Sequence, residues 1–142
     1  LKSLGVNITV IFSPEHGFRG TADAGEKLGN MTDPKTGIPI VSLYGAKRKP
    51  SGEDVNKADV LIFDIQDVGV RFYTYISSLQ EFMEAAFENS KPLMILDRPN
   101  PNGHYVDGPV LEAPFKSFVG MQPVPIVYGM TIAEYGMMLA SE

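Results

Sequence analysis

Four short apolar runs constrain this chain more than any other feature: "NITVIFS" (7–13), "IPIVSL" (38–43), "DVLIFDI" (59–65) and "PLMILDR" (92–98). Each is short for a helix, rich in Val, Ile and Leu, and nearly unbroken by polar residues, as in strands covered on both faces. Between the last two lies "RFYTYISSLQEFMEAAFENS", where Phe72, Ile76, Leu79, Met83 and Ala86 recur at helical spacing. Strand, helix, strand is a βαβ unit. The expected fold class is therefore α/β, a mostly parallel sheet flanked by helices and joined by right-handed crossovers. At 142 residues and 44% hydrophobic, the chain has material for one domain with a core, spanning residues 1–142.

Both ends read as cut. "LKSLGVN" looks like the last turn of a helix stopped by Gly5, and "MTIAEYGMMLASE" opens a helix with Thr131 as N-cap and Glu134 completing a capping box. The chain is thus expected to be a portion of a longer protein, with an unpartnered sheet edge that invites self-association. Residues 22–39, rich in Gly, Asp, Thr and Lys, read as an exposed excursion. The Pro- and Gly-rich stretch 98–125 is irregular, with "HYVDGPVL" expected to form a peripheral hairpin.

Composition removes several function classes. Net charge is -5, from 12 basic and 17 acidic residues, with no basic stripe for nucleic acid. The one basic cluster, "KRKP" at 47–50, reads as a solvated loop. There is no cysteine, hence no disulfide, thiolate metal site or cysteine nucleophile. No run approaches the roughly 18 apolar residues of a membrane span, and no signal peptide begins the chain. No glycine-rich nucleotide loop, P-loop or nucleophile elbow occurs. The two histidines, His16 and His104, lack metal-ligand spacing, so neither cofactor nor metal is expected.

In open α/β sheets, ligands bind at the carboxyl ends of the strands. Here the first strand ends in Ser13, Pro14, Glu15 and His16. The third ends in Asp64, Gln66, Asp67 and then Arg71, and the fourth in Asp97, Arg98 and Asn100. Each group has a bland alternative. The aspartates can cap turns or a helix, the arginines can neutralise them, and His16 can be a turn histidine. Glu15 is hardest to explain as a turn residue, and a carboxyl partly buried there suits general acid work. Tyr44, Tyr73, Tyr75 and Phe18 could stack on sugar faces or simply fill core and rim.

The stretches "FSPEHGFRGTADAGE", "TGIPIVSLYG", "FDIQDVGVRFYTYI", "LDRPNPNG" with "GPVL", and "SFVGMQPVPIVYGMT" resemble successive motifs of one bacterial family. That family, long a domain of unknown function, is associated with NamZ-type exo-β-N-acetylmuramidases. The resemblance runs over essentially the whole chain. It implies a Rossmann-like domain, here without its first strand and helix, followed by a smaller C-terminal domain. It also implies export and release of N-acetylmuramic acid from the non-reducing ends of muropeptides or glycan chains. On this sequence it makes Glu15 the catalytic acid and places His16, Glu26, Asp64, Gln66, Arg71, Tyr73, Arg98 and Asn100 around the sugar. Tyr128 in "VYGMT" departs from the family pattern, where a histidine is expected. Two rival readings stay open beside the glycosidase: a non-catalytic carbohydrate-binding module on the same scaffold, and a metal-dependent phosphoryl-transfer enzyme using Asp64 and Asp67.

Overall fold

The apolar runs pair as strands only over their central residues. The structure, a computed structural model, describes residues 1–15, 17–19 and 29–141. In chain order the elements are β1 (Ile11–Ser13), β2 (Met31–Thr32), β3 (Pro39–Ser42), α1 (Gly52–Val55), β4 (Leu61–Phe63), α2 (Tyr75–Glu88), β5 (Leu93–Ile95) and α3 (Ile132–Ser141). Short 3₁₀ turns add Lys2–Leu4, stopped by a left-handed Gly5 as expected, and Ala113–Phe115. The fold is mixed α/β with parallel pairing. β1 runs parallel to β3, from Ile11 opposite Ile40 to Ser13 opposite Ser42, while β2 joins the other edge of β3 antiparallel. β4 and β5 form a separate ladder. Its bonds, Leu61 N to Pro92 O (2.9 Å) and Leu96 N to Phe63 O (3.0 Å), advance together along both strands, which is the parallel pattern.

The expected single sheet is therefore two ladders among the described residues. The strand expected over 7–13 is also shorter. Beyond Ile11 the next position on β3 is Pro39, which has no N–H to offer. No helix among the described residues is long and apolar enough to cross a membrane. The chain divides into two compact units, residues 1–61 with 84–92, and residues 62–83 with 93–142.

In the first unit, Ile38, Ile40, Val41 and Val55 are buried. The segment expected to be an exposed excursion contributes β2 and, at Asp33, a fully buried carboxylate. Arg19 grips that carboxylate with two contacts of 2.7 and 2.8 Å, and the Thr36 hydroxyl donates to it. The Asp33 main chain bonds Ile38 O and Gly37 N, closing a turn. These donors offset a desolvation that an unpaired buried charge could not survive. The Thr36 hydrogen bond and then Arg19 hold the Asp33 carboxyl below its ordinary range. Asp54 behaves likewise. Burial pushes it up, but Lys47, Ser51 and Lys57 outweigh burial and hold it well down. Ser51 is also the N-cap of α1. Lys49 bonds Glu88 at 2.6 Å, so both lysines in "KRKP" have acidic partners.

In the second unit, α2 buries Ile76, Leu79 and Phe82, and the Phe82 ring lies 6.1 Å from that of Phe63. Phe72, expected on the helix's buried face, precedes the helix and is 60% exposed. A turn from Val70 to Tyr73 delays the helix start. The strands are not covered on both faces either, since Ile62 and Met94 are 40% and 53% exposed. Neighbours Leu61 and Phe63, one residue either side of Ile62, are the buried ones. At α3 the capping box forms as expected: Glu134 N donates to the Thr131 hydroxyl (3.2 Å) and Thr131 N to the Glu134 carboxylate (2.8 Å). Tyr135 is fully buried. A Cβ on Gly136 would stand 2.9 Å from Ile95 and 3.5 Å from Leu79, so the glycine permits close packing there. "HYVDGPVL" does not fold on itself. Its Asp107 pairs with Val127, and Leu111 N reaches Val124 O, because the later "PVPIV" offers the matching backbone.

Two expectations follow. Asp33 and Asp54 have folded values below the unfolded carboxylate value of about 3.9. Their stabilisation is thus complete above that pH and is lost as pH falls toward the folded values. Unfolding midpoints should fall steeply below about pH 4 in the parent and less steeply in Asp33→Asn and Asp54→Asn; identical acid slopes in all three would exclude this origin. Gly69 has φ +76°, and a Cβ there would lie 2.2 Å from the Asn100 side chain, which is itself bonded to Met130 O and Asn102 N. Gly69→Ala should therefore cost at least about 2 kcal/mol in denaturant unfolding, from backbone strain plus a displaced hydrogen bond. A loss under about 0.5 kcal/mol would contradict that packing.

Candidate active site

The first strand end is shaped by a tight turn. Pro14 has no N–H to continue the ladder, and its carbonyl accepts from Gly17 N at 3.3 Å, with Gly17 at φ +72°. Glu15 falls at the start of that turn and is half-buried. Leu43 N donates to Ser13 O at 2.8 Å, so β3 leaves the ladder level with β1. Two residues past the end of β3 stands Tyr44. Hydrogen bonding to Glu15, then burial and the charge of Glu15, raise the Tyr44 phenol, while Arg48 opposes them. Arg19 closes the motif, stacking 4.7 Å over Phe18 while it grips Asp33. His16 and Glu26 lie outside the described residues.

The other candidates belong to the second unit. Asp64 and Arg98 form an exposed ion pair, 54% and 41% accessible. Gln66 donates its amide to Asp67 O (2.7 Å) and Pro99 O (3.3 Å), stitching the loop after β4 to the loop after β5. Asn100 spends both ends of its amide, on Met130 O (2.8 Å) and Asn102 N (2.8 Å). Among the described residues Arg71 neutralises no aspartate. It donates to the carbonyls of Pro109 (2.9 Å) and Val124. Tyr73 is exposed and meets Tyr75 edge to face at 5.2 Å. Asp97 caps α3, accepting from the Thr131 hydroxyl (2.8 Å) and Ala133 N (3.0 Å).

Asp67 is buried, and its Oδ2 accepts from the Tyr128 hydroxyl and from Gly69 N (2.7 Å), whereas Oδ1 is buried without a partner. Burial first, then Asp67, push the Tyr128 phenol far above its ordinary value. Asp64 and Asp67 do not make a shared ligand set, since one is exposed beside Arg98 and the other is buried under Tyr128. Among the described residues no group of three or more His, Cys, Asp or Glu could hold a metal ion.

Sequence reasoning missed the structural parts of Arg19, Asn102 and Tyr128. It also noticed Tyr44 only as an aromatic, although its position just past a strand end was a usable signal. Arg19 carried none, because its partner Asp33 lies across a segment with no periodic pattern. Chemically, the first unit offers a half-buried carboxyl with a phenol beside it. The second offers an openable Arg–carboxylate pair and an exposed aromatic ring.

The chain matches, over residues 1–142, the family model described as the N-terminal part of the exo-beta-N-acetylmuramidase NamZ. It is 51% identical over 138 residues to the peptidoglycan beta-N-acetylmuramidase NamZ of Bacillus subtilis (strain 168), covering 96% of this chain. It spans about a third (33%) of that relative's length. Two crystal structures of DUF1343 family proteins from Bacteroides fragilis NCTC 9343 are similar. One is 50% identical with a TM-score of 0.86, covering 99% of this chain and 36% of that one. The other is 44% identical with a TM-score of 0.85, covering 96% and 34%. With a full-length family match and half its residues shared with a curated relative, the chain belongs to the family of NamZ N-terminal regions.

Proposed function

We propose that this chain carries the catalytic acid and part of the sugar-recognition surface of an exported exo-β-N-acetylmuramidase, which releases N-acetylmuramic acid from non-reducing ends of peptidoglycan fragments. The observation that supports this most is the 51% identity, across nearly the whole chain, to a protein named for that activity. Export follows from the substrate, since peptidoglycan lies outside the cytoplasmic membrane.

Glycoside hydrolysis needs a carboxylic acid that protonates the leaving oxygen and a second group that attacks the anomeric carbon or activates water. Glu15 is assigned the acid role, on its half-buried place at a strand end. Muramic acid also carries a lactyl carboxylate, which an arginine can hold bidentately. Arg98 suits this better than Arg71. Its exposed pairing with Asp64 is worth only about 0–1 kcal/mol, so a substrate carboxylate can replace Asp64 at little cost. Tyr73 presents a ring for the apolar face of the sugar. Gln66, Asn100 and Arg71 are assigned to holding the loops that shape the surface. His16 and Glu26 are assigned to the sugar on family resemblance alone.

In the full-length protein, Glu15→Gln keeps the side chain's volume but cannot release a proton in this role. Turnover of a muramic-acid disaccharide should drop by roughly 10²–10⁴-fold, with less loss on a nitrophenyl glycoside, whose leaving oxygen needs little protonation. Near-normal turnover of the disaccharide would remove Glu15 from the mechanism, and binding without hydrolysis in the parent protein would favour a carbohydrate-binding module. Arg98→Ala should penalise muramic-acid substrates over N-acetylglucosamine analogues by about 1.5–3 kcal/mol in kcat/KM, the range for a charge-assisted hydrogen bond. Arg71→Ala should affect the two sugars alike. Equal losses on both sugars for Arg98→Ala would make that arginine structural as well.

A further inference from the structure

The strand that ends beside Glu15 supplies a second group to that end of the ladder. β1 and β3 are parallel with Ser13 opposite Ser42, and the Leu43 N to Ser13 O bond holds their ends level. Two residues past these partners stand Glu15 and Tyr44, both half-buried, and Glu15 raises the Tyr44 phenol. We propose that Tyr44 is a positioning residue for Glu15, donating to one carboxyl oxygen so that the other presents its proton to the glycosidic oxygen. The inference rests on the general-acid reading of Glu15 given above.

A carboxyl has two oxygens, and its proton can sit on either. A phenol O–H directed at one oxygen makes it the acceptor and leaves the proton on the other. In the step itself, the Glu15 O–H bond breaks as its proton bonds the glycosidic oxygen. The bond from that oxygen to the anomeric carbon breaks, and its electron pair stays on the departing oxygen. Water finally supplies the anomeric hydroxyl, and its spare proton replaces the one Glu15 gave. Glu15 becomes a carboxylate along this path, and a hydrogen bond to a carboxylate is stronger than one to a neutral acid. Tyr44 therefore binds the transition state better than the ground state, which is the condition for raising kcat. Its own proton stays in place, because the bond to Glu15 holds the phenol's ionisation above the ordinary range, even against the nearby charge of Arg48.

The test is a double-mutant cycle in the full-length protein. Tyr44→Phe, Glu15→Gln and the double variant are assayed on a disaccharide with non-reducing N-acetylmuramic acid and on the nitrophenyl glycoside. Tyr44→Phe alone should lower kcat on the disaccharide on the order of ten-fold, with little change in KM, and should lower it less on the nitrophenyl substrate. In the Glu15→Gln background the same change should cost nothing further. A Tyr44→Phe loss that is equal on both substrates, or that persists in the Glu15→Gln background, overturns the proposal. So does a silent Tyr44→Phe where Glu15→Gln shows its full loss. If Glu15→Gln itself turns over the disaccharide normally, the general-acid reading fails and this inference fails with it. Fluorotyrosine at position 44 keeps the shape and alters mainly the hydroxyl's acidity. It covers the case in which Tyr44→Phe does not fold: kcat should shift on the disaccharide, and an unchanged kcat again overturns the proposal.

Discussion

A parallel ladder brings the same end of each strand to one edge, and in the first unit this constraint decides what can meet Glu15. β1 and β3 stay in register to Ser13 and Ser42 and then both turn away. On β1 the turn is set by Pro14 and by Gly17 at φ +72°; on β3 it is set by Gly45 at φ +91°. Two chain segments distant in sequence thus stop at one level, each with a polar side chain just past its last ladder bond. An antiparallel pairing would have put the start of one strand beside the end of the other, and Glu15 would have had no strand-end neighbour. The β2 strand lies antiparallel on the far edge of β3, and Asn30 just before it accepts from Ser42 N at 3.0 Å.

Away from the apolar cores, buried carboxylates tie the loops down. Asp33, Asp54 and Asp67 are all buried. Each would cost several kcal/mol if left without donors. Asp33 gathers Arg19 and Thr36, and Asp54 gathers Lys47, Ser51 and Lys57. Asp67 takes Gly69 N and Tyr128. All of these donors lie outside the helices and strands, in the connecting loops and caps. Asp67 is the exception to full pairing, since among the described residues its Oδ1 is buried with no donor.

Much of the secondary structure was legible because it rests on local signals. Thr131 with Glu134 marks the start of α3, Gly5 marks a stop, and the spacing of Ile76, Leu79, Met83 and Ala86 marks α2. Strand lengths were not legible, because apolar composition cannot show that Val10 would have to face Pro39 or that the residues before Pro39 fold into the Asp33 turn. Phe72 misled for a related reason: it continues the helical spacing, but the Val70–Tyr73 turn precedes the helix. The partner of "HYVDGPVL" was hidden too, as an isolated bridge to Val127 leaves no periodic trace. At the candidate site, the sequence showed polar residues gathered at strand ends. It could not say whether a polar group there points at backbone or away from it, because that depends on loops with no repeat to read.

That distinction separates the candidates by the cost of freeing them. Taking the Arg71 guanidinium for a ligand would release the exposed carbonyl of Pro109 to water and strand that of Val124, at about 1–3 kcal/mol if it is left without a donor. Withdrawing Asn100 would release Met130 O and Asn102 N together and loosen the space held open at Gly69. Asp97 could leave only by uncapping α3, a loss of about 1 kcal/mol. Arg98 can leave Asp64 for almost nothing, because both are exposed and water replaces each partner. Tyr73 needs no release at all, since its exposed ring would gain contact from a sugar without giving up a hydrogen bond that holds the fold. Arg98 and Tyr73 are thus the candidates that a ligand could engage without unfolding the loops, while Arg71, Asn100 and Asp97 are tied into the surface beside them.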